Sequence, residues 1–120
     1  MKANELRIGN YLTDTKNILI VKSLTKENVY CDIYKFKETP LSKIETIPLT
    51  EDWLLKFGFT WDLKKVYLCR NEIAYRIRYV RNSLILIQGK QCITIPNLKH
   101  VHQLQNLYFT LIGNELILTQ

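Results

Sequence analysis

Apolar and polar positions alternate in short runs over the first 48 residues and again over 65–95, the period-two signature of strands with one buried face. The first set predicts strands around Tyr11, over Asn17 to Leu24, Val29 to Phe36 and Ile44 to Ile47. Turn chemistry separates them at Gly9-Asn10, Asp14 to Lys16, Lys26 to Asn28 and Glu38 to Pro40. This spacing suits an SH3-like or split-barrel arrangement. The second set predicts a four-stranded meander of Lys65 to Cys69, Ile73 to Val80, Leu84 to Gln88 and Gln91 to Ile95, with turns at Arg70 to Glu72, Arg81 to Ser83 and Gly89-Lys90. Leu84 to Ile87 is an unbroken apolar run, which predicts a strand covered on both faces.

The period changes to that of a helix in two places. Thr50 is a suitable N-cap, Glu51 and Asp52 fill the first turn, Leu49 and Leu54 can form a hydrophobic staple, and Gly58 stops the segment; Trp53, Leu54 and Phe57 face inward. A longer helix is predicted from about Leu98 to Ile112, capped by Asn97 and stopped by Gly113. Its residues Val101, Leu104, Leu107, Tyr108, Leu111 and Ile112 fall within an arc of roughly 140°. This stripe is expected to dock on the strands of 65–95, and Glu115 to Leu118 to add a last short strand. The whole reads as a single α+β domain over 1–120.

A 120-residue chain buries enough surface to fold without disulfides or metal. The longest purely apolar runs, Ile18 to Val21 and Leu84 to Ile87, are far too short to span a bilayer, and the first residues lack the apolar stretch of a secretion signal. A cytoplasmic protein with no membrane partner is expected. Cysteines 31, 69 and 92 lie far apart in strand-like segments, so they read as buried free thiols. His100 and His102, two apart on a helix, are expected to point away from each other and to share no metal. No metal or cofactor is expected.

Charge is unevenly placed. Residues 1–60 carry a net +1, residues 61–100 a net +6 and residues 101–120 a net −1. The predicted strand ending at Val80 sets Arg76 and Arg78 on one face and Tyr75, Ile77 and Tyr79 on the other. With Lys64, Lys65, Arg70 and Arg81 nearby, these arginines form the candidate surface for phosphates or acidic side chains. Tyr75 and Tyr79 lie on the wrong face to stack bases beside them. The four glycines sit at turns and caps, with no phosphate-binding loop, and no nucleophile–base pair or paired carboxylates stand out, so no enzyme is expected.

Three phrases, ELRIGNYL at 5–12, IPLTEDWLLKFGF at 47–59 and HVHQLQNLYFTLIGNEL at 100–116, resemble a family of short proteins carried by phages and integrated elements of Bacteroidota. The basic middle segment contributes no phrase. The resemblance implies a mobile-element origin, and it points to an inhibitor of a host machine, such as an anti-CRISPR inhibitor of an RNA-targeting, type VI effector nuclease. It carries no functional residue with it. The expectation is a non-enzymatic phage or prophage accessory protein that binds a host protein or defence ribonucleoprotein, with a possible RNA contact. A stand-alone RNA- or DNA-binding module and a small virion or assembly component are the alternatives.

Overall fold

The structure, a computed structural model, describes residues 3–32, 39–63, 65–70 and 75–118. The protein is α+β, and its contacts group into two units, one of residues 1–48 and 100–115, the other of 49–99 and 116–120.

The first unit holds a five-stranded antiparallel sheet of β1 (Tyr11–Thr13), β2 (Ile18–Leu24), β3 (Asn28–Cys31), β4 (Thr39–Pro40) and β5 (Glu45–Thr46), in the order β4-β3-β2-β1-β5. Period-two patterning does its work here: Leu12 pairs with Leu19, and both are buried with Val21, Val29, Cys31, Leu41 and Ile44. A bulge between Val21 and Ser23 shifts the β2–β3 register. The part of the expected Val29 to Phe36 strand beyond Asp32 lies outside the described residues.

The C-terminal helix, Val101–Ile112, belongs to this unit and packs on β1, which corrects the expected docking on the strands of 65–95. It ends as expected at Gly113, whose φ of 85° is left-handed and whose N–H donates to the Phe109 carbonyl at 2.8 Å. Its start is later than expected. Asn97 does not cap it but turns the chain with a φ of 58°. In the second unit Leu98 N–H donates to the Asn82 carbonyl and Leu49 N–H to the Lys99 carbonyl, each at 2.8 Å. In the first, Pro48 bridges His100 and Val101 N–H donates to the Ile47 carbonyl at 2.8 Å. These bonds keep 98–100 extended, so His100 is the N-cap. Val101, Leu104 and Tyr108 are buried as the stripe requires, but Leu111 is 48% exposed, and the buried face instead includes the polar His102 and Gln105.

The second unit begins with a short helix, Glu51–Lys56. Thr50 stands at its N-cap through its carbonyl, which accepts from Trp53 and Leu54; its hydroxyl makes no capping bond. Five strands follow rather than four: β6 (Thr60–Trp61), β7 (Leu68–Cys69), β8 (Arg76–Val80), β9 (Ser83–Gln88) and β10 (Gln91–Ile95), antiparallel in the order β10-β9-β8-β7-β6. Leu68, Ile77, Leu84 and Leu86 face a buried layer, and Trp53, Leu54, Phe57, Phe59, Leu98 and Leu116 are buried too. The β9 run is not covered on both faces. Ile85 and Ile87 pair with Arg78 and Arg76 and are only half-buried, because the register puts them on the face where both arginines are exposed. Residues 115–118 form no strand, although Leu116 is buried.

Candidate functional site

The basic surface is built on the β8–β9 hairpin. Val80 pairs with Ser83 across a two-residue turn in which Arg81 and Asn82 have φ values of 52° and 62°, the doubly left-handed geometry that matches strand twist. This tight closure fixes the register, and the register sets Arg76, Arg78 and Val80 on one face, with Ile87, Ile85 and Ser83 beside them from β9. Arg76 and Arg78 are both exposed. On the opposite face Ile77 is buried and Tyr79 half-buried, its hydroxyl donating to the Leu98 carbonyl at 2.5 Å. Burial pushes the Tyr79 phenol above its ordinary pKa.

One aromatic ring does join the arginines, and sequence spacing missed it. Leu68 pairs with Ile77, so Tyr67, one residue earlier, falls on the arginine face; the Arg76 guanidinium lies 4.8 Å from the centre of its ring. Asp62 places that ring. Its Oδ1 accepts from Val66 N–H at 2.9 Å and Tyr67 N–H at 3.3 Å, while its own N–H donates to the Tyr67 carbonyl at 2.9 Å. Burial pushes the Asp62 carboxyl up, but these backbone N–H groups and Arg76 outweigh it and hold the carboxyl below its ordinary range. No local signal announces it, since an Asx turn bonds the N–H two residues on, whereas Asp62 reaches four and five residues along the chain.

The other expected members are placed differently from one another. Lys65 and Arg78 both line a surface depression of about 340 Å³ whose walls include Trp61, Val66, Val80 and Glu51. Arg81 is exposed at the hairpin tip. Arg70 is turned inward: it is half-buried, its Nη1 donates to the Phe57 carbonyl, and its guanidinium lies 5.7 Å from the centre of the Phe59 ring. Lys64 lies outside the described residues.

The polar residues that make the helix phrase distinctive serve another purpose. Gln105, fully buried, accepts from Tyr11 N–H at 2.8 Å and donates to the Gly9 carbonyl at 3.0 Å. Asn106 Oδ1 accepts from Asn10 Nδ2 at 2.9 Å and Arg7 Nε at 3.1 Å, and its Nδ2 donates to the Glu5 carbonyl at 3.1 Å. Arg7 closes the set with an ion pair to Glu115. The phrases at 5–12 and 100–116 are thus one interlocked structural feature.

Two readings of reactive side chains need correction. Cys31 is buried, with its thiol pushed up to about 11 by burial and then by Asp32 and Asp14, but Cys69 is half-buried and Cys92 exposed, so the cysteines are not uniformly core residues. The His100 and His102 rings do not diverge. They stack with centroids 5.7 Å apart and planes 13° apart, because His100 is the extended N-cap and not a helical residue. Among the described residues no group of three or more His, Cys, Asp or Glu is placed to hold a metal ion, and no helix is long and apolar enough to cross a membrane. Comparison with protein-family models, curated proteins and solved structures finds no match to this chain.

Proposed function

We propose that this chain is a non-enzymatic binding protein of phage or prophage origin that engages and inhibits a host factor, a defence ribonucleoprotein of the CRISPR type, through the arginine face of its second sheet. The observation that carries the reading is the pair Arg76 and Arg78, both exposed on a strand whose register is pinned by a two-residue hairpin. The paired strand fixes where the two side chains leave the backbone, and their planar guanidinium forks match phosphate and carboxylate alike. The half-buried Ile85 and Ile87 beside them on β9 offer apolar area next to the charge, the mixture that macromolecular interfaces use.

A second reading, a stand-alone RNA- or DNA-binding module, is favoured by Tyr67. A ring beside a basic row is the arrangement that stacks an unpaired base next to its phosphate. Capture of partners from host lysate, with and without nuclease treatment, separates the two. The inhibitor reading requires a protein complex that stays bound after nuclease; the nucleic-acid reading requires that binding vanish with the nucleic acid and fall steeply with salt in the purified system.

A further inference from the structure

One concavity in the second unit is lined by charged and aromatic side chains that no described residue engages. It is the depression of about 340 Å³ beside β8, to which Trp61, Lys65, Arg78 and Glu51 all contribute. Elsewhere cations sit over aromatic rings, Arg7 on Phe109, Lys56 on Trp53 and Arg76 on Tyr67. Trp61 is 39% exposed and, among the described residues, no cation lies on its ring, although two share its depression. Glu51 pairs with neither of them; the ion pair among the described residues is Arg7 with Glu115. The gap exists because Asp62 diverts the segment that would fill it. Leu68 pairs with Ile77, so Val66 would stand opposite Tyr79, but its N–H is held by Asp62 Oδ1 at 2.9 Å. On the other side β8 closes on β9 through a two-residue turn, whose flanking pair Val80 and Ser83 exchanges both hydrogen bonds, with bonded residues alternating from there. The backbone N–H and C=O of Tyr79 therefore point away from β9 toward the place Val66 leaves, and no described residue bonds to them.

We infer that this depression binds a nucleotide: its base stacks on the Trp61 indole, its phosphate is held by Lys65 and Arg78, and N–H groups of the base donate to Glu51 and the Tyr79 carbonyl. Each part of such a ligand meets a group that lacks a partner in the protein. A flat ring covers an exposed indole, and a phosphate joined to that ring answers the two cations beside it. Base edges carry donors and acceptors together, as the Tyr79 backbone does. The same groups disfavour an acidic peptide. Its carboxylates would satisfy the cations but meet Glu51 as a like charge, and they would leave the indole bare. Nor can an extended peptide add as a strand, which needs a row of outward backbone groups. β8 offers one residue here, since Ile77 is taken by Leu68 and the chain turns at Arg81. The volume lies in the range of about 300–1,000 Å³ that small-ligand sites occupy. One stacked ring and one phosphate in an open depression give a dissociation constant on the order of 10⁻³ M. The site shares Arg78 with the proposed partner face but does not rest on that reading.

Nitrogen-edited NMR of the full chain, titrated to about 10 mM with the 5′-phosphates of adenosine, guanosine, cytidine and uridine, tests this. The sequence has two tryptophans, and the indole N–H signal of Trp61 is identified by its loss in Trp61→Leu. That signal should shift saturably with at least one of the four nucleotides, while the signal of the buried Trp53 stays in place and marks the folded chain. The nucleoside without its phosphate should bind at least about fivefold more weakly, and Lys65→Gln and Arg78→Gln should each weaken the nucleotide at least about threefold. Four results overturn the proposal: no saturable shift with any nucleotide, ribose 5-phosphate binding as tightly as the nucleotides, a glutamate tetrapeptide binding more tightly than they do, or both variants binding as wild type does. Each of them leaves the arginine-face reading standing, because that reading is tested by partner affinity with Arg76 and Arg78 replaced together and requires no nucleotide at Trp61.

Discussion

The side-chain amide of Gln105 completes the first strand: its Oε1 accepts from Tyr11 N–H at 2.8 Å and its Nε2 donates to the Gly9 carbonyl at 3.0 Å. A helix residue thus pairs with the strand backbone as a neighbouring strand would. The groups are buried, where an unmade hydrogen bond costs more than a made one contributes. Gln105→Ala should therefore lower stability by about 2–4 kcal/mol in urea unfolding. A loss within 0.5 kcal/mol of zero would mean that water replaces the amide freely.

Leu104 and Leu111 lie on the same predicted stripe but differ in burial, 2% against 48% exposed. Leu104→Ala should cost about 2–5 kcal/mol by leaving a cavity, and Leu111→Ala less than about 1 kcal/mol. Equal losses in thermal or urea unfolding would contradict the observed placement of the helix.

His102 gives the first unit a pH dependence. Burial, then the neighbouring His100, lowers its pKa from 6.5 to about 4, against a smaller opposing effect of Glu5. Between those values the unfolded chain binds the proton and the folded chain does not, so stability is full above about pH 6.5 and is lost as pH falls toward 4. The His102 contribution should amount to about 2 kcal/mol between pH 7 and pH 5. It is read as the difference between wild type and His102→Leu in unfolding free energy at the two values. Parallel pH profiles for the two proteins would contradict it.

Arg81 occupies a left-handed position that strains a side chain by about 1–2 kcal/mol, which outweighs the roughly 0.5–1 kcal/mol of extra chain entropy that glycine loses on folding. Arg81→Gly should raise the melting temperature slightly, and a fall in melting temperature would contradict this.

Most strand positions and the Gly113 stop were legible, because alternation and a left-handed glycine act locally, but the strand at Thr60–Trp61 was not, and the strand expected at Glu115 to Leu118 does not form. The helix start was not legible either. Asn97 has the chemistry of a cap, but the pairing of Leu98 with Asn82 is a long-range event that no local signal records. Gln105 and Asn106 stood out as polar choices on an apolar stripe, yet their partners lie over ninety residues away. At the candidate site, the alternation of Arg76 and Arg78 was readable, whereas Tyr67 joins them only through the turn that Asp62 makes. Arg70, counted by its position in the same basic cluster, is bound to the Phe57 carbonyl by a contact that composition cannot foresee.

The arginine face is the centre of the functional account, and one measurement addresses it most directly: the affinity of the captured host partner for wild type and for Arg76→Glu/Arg78→Glu, titrated against salt. The double variant should keep its fold, losing no more than about 1 kcal/mol as Arg76 leaves the Tyr67 ring. Its affinity should fall at least tenfold at low salt, and the difference should shrink as salt screens the charges. A folded double variant that binds as tightly as wild type at every salt concentration would contradict the account and leave the two arginines as a solvated surface.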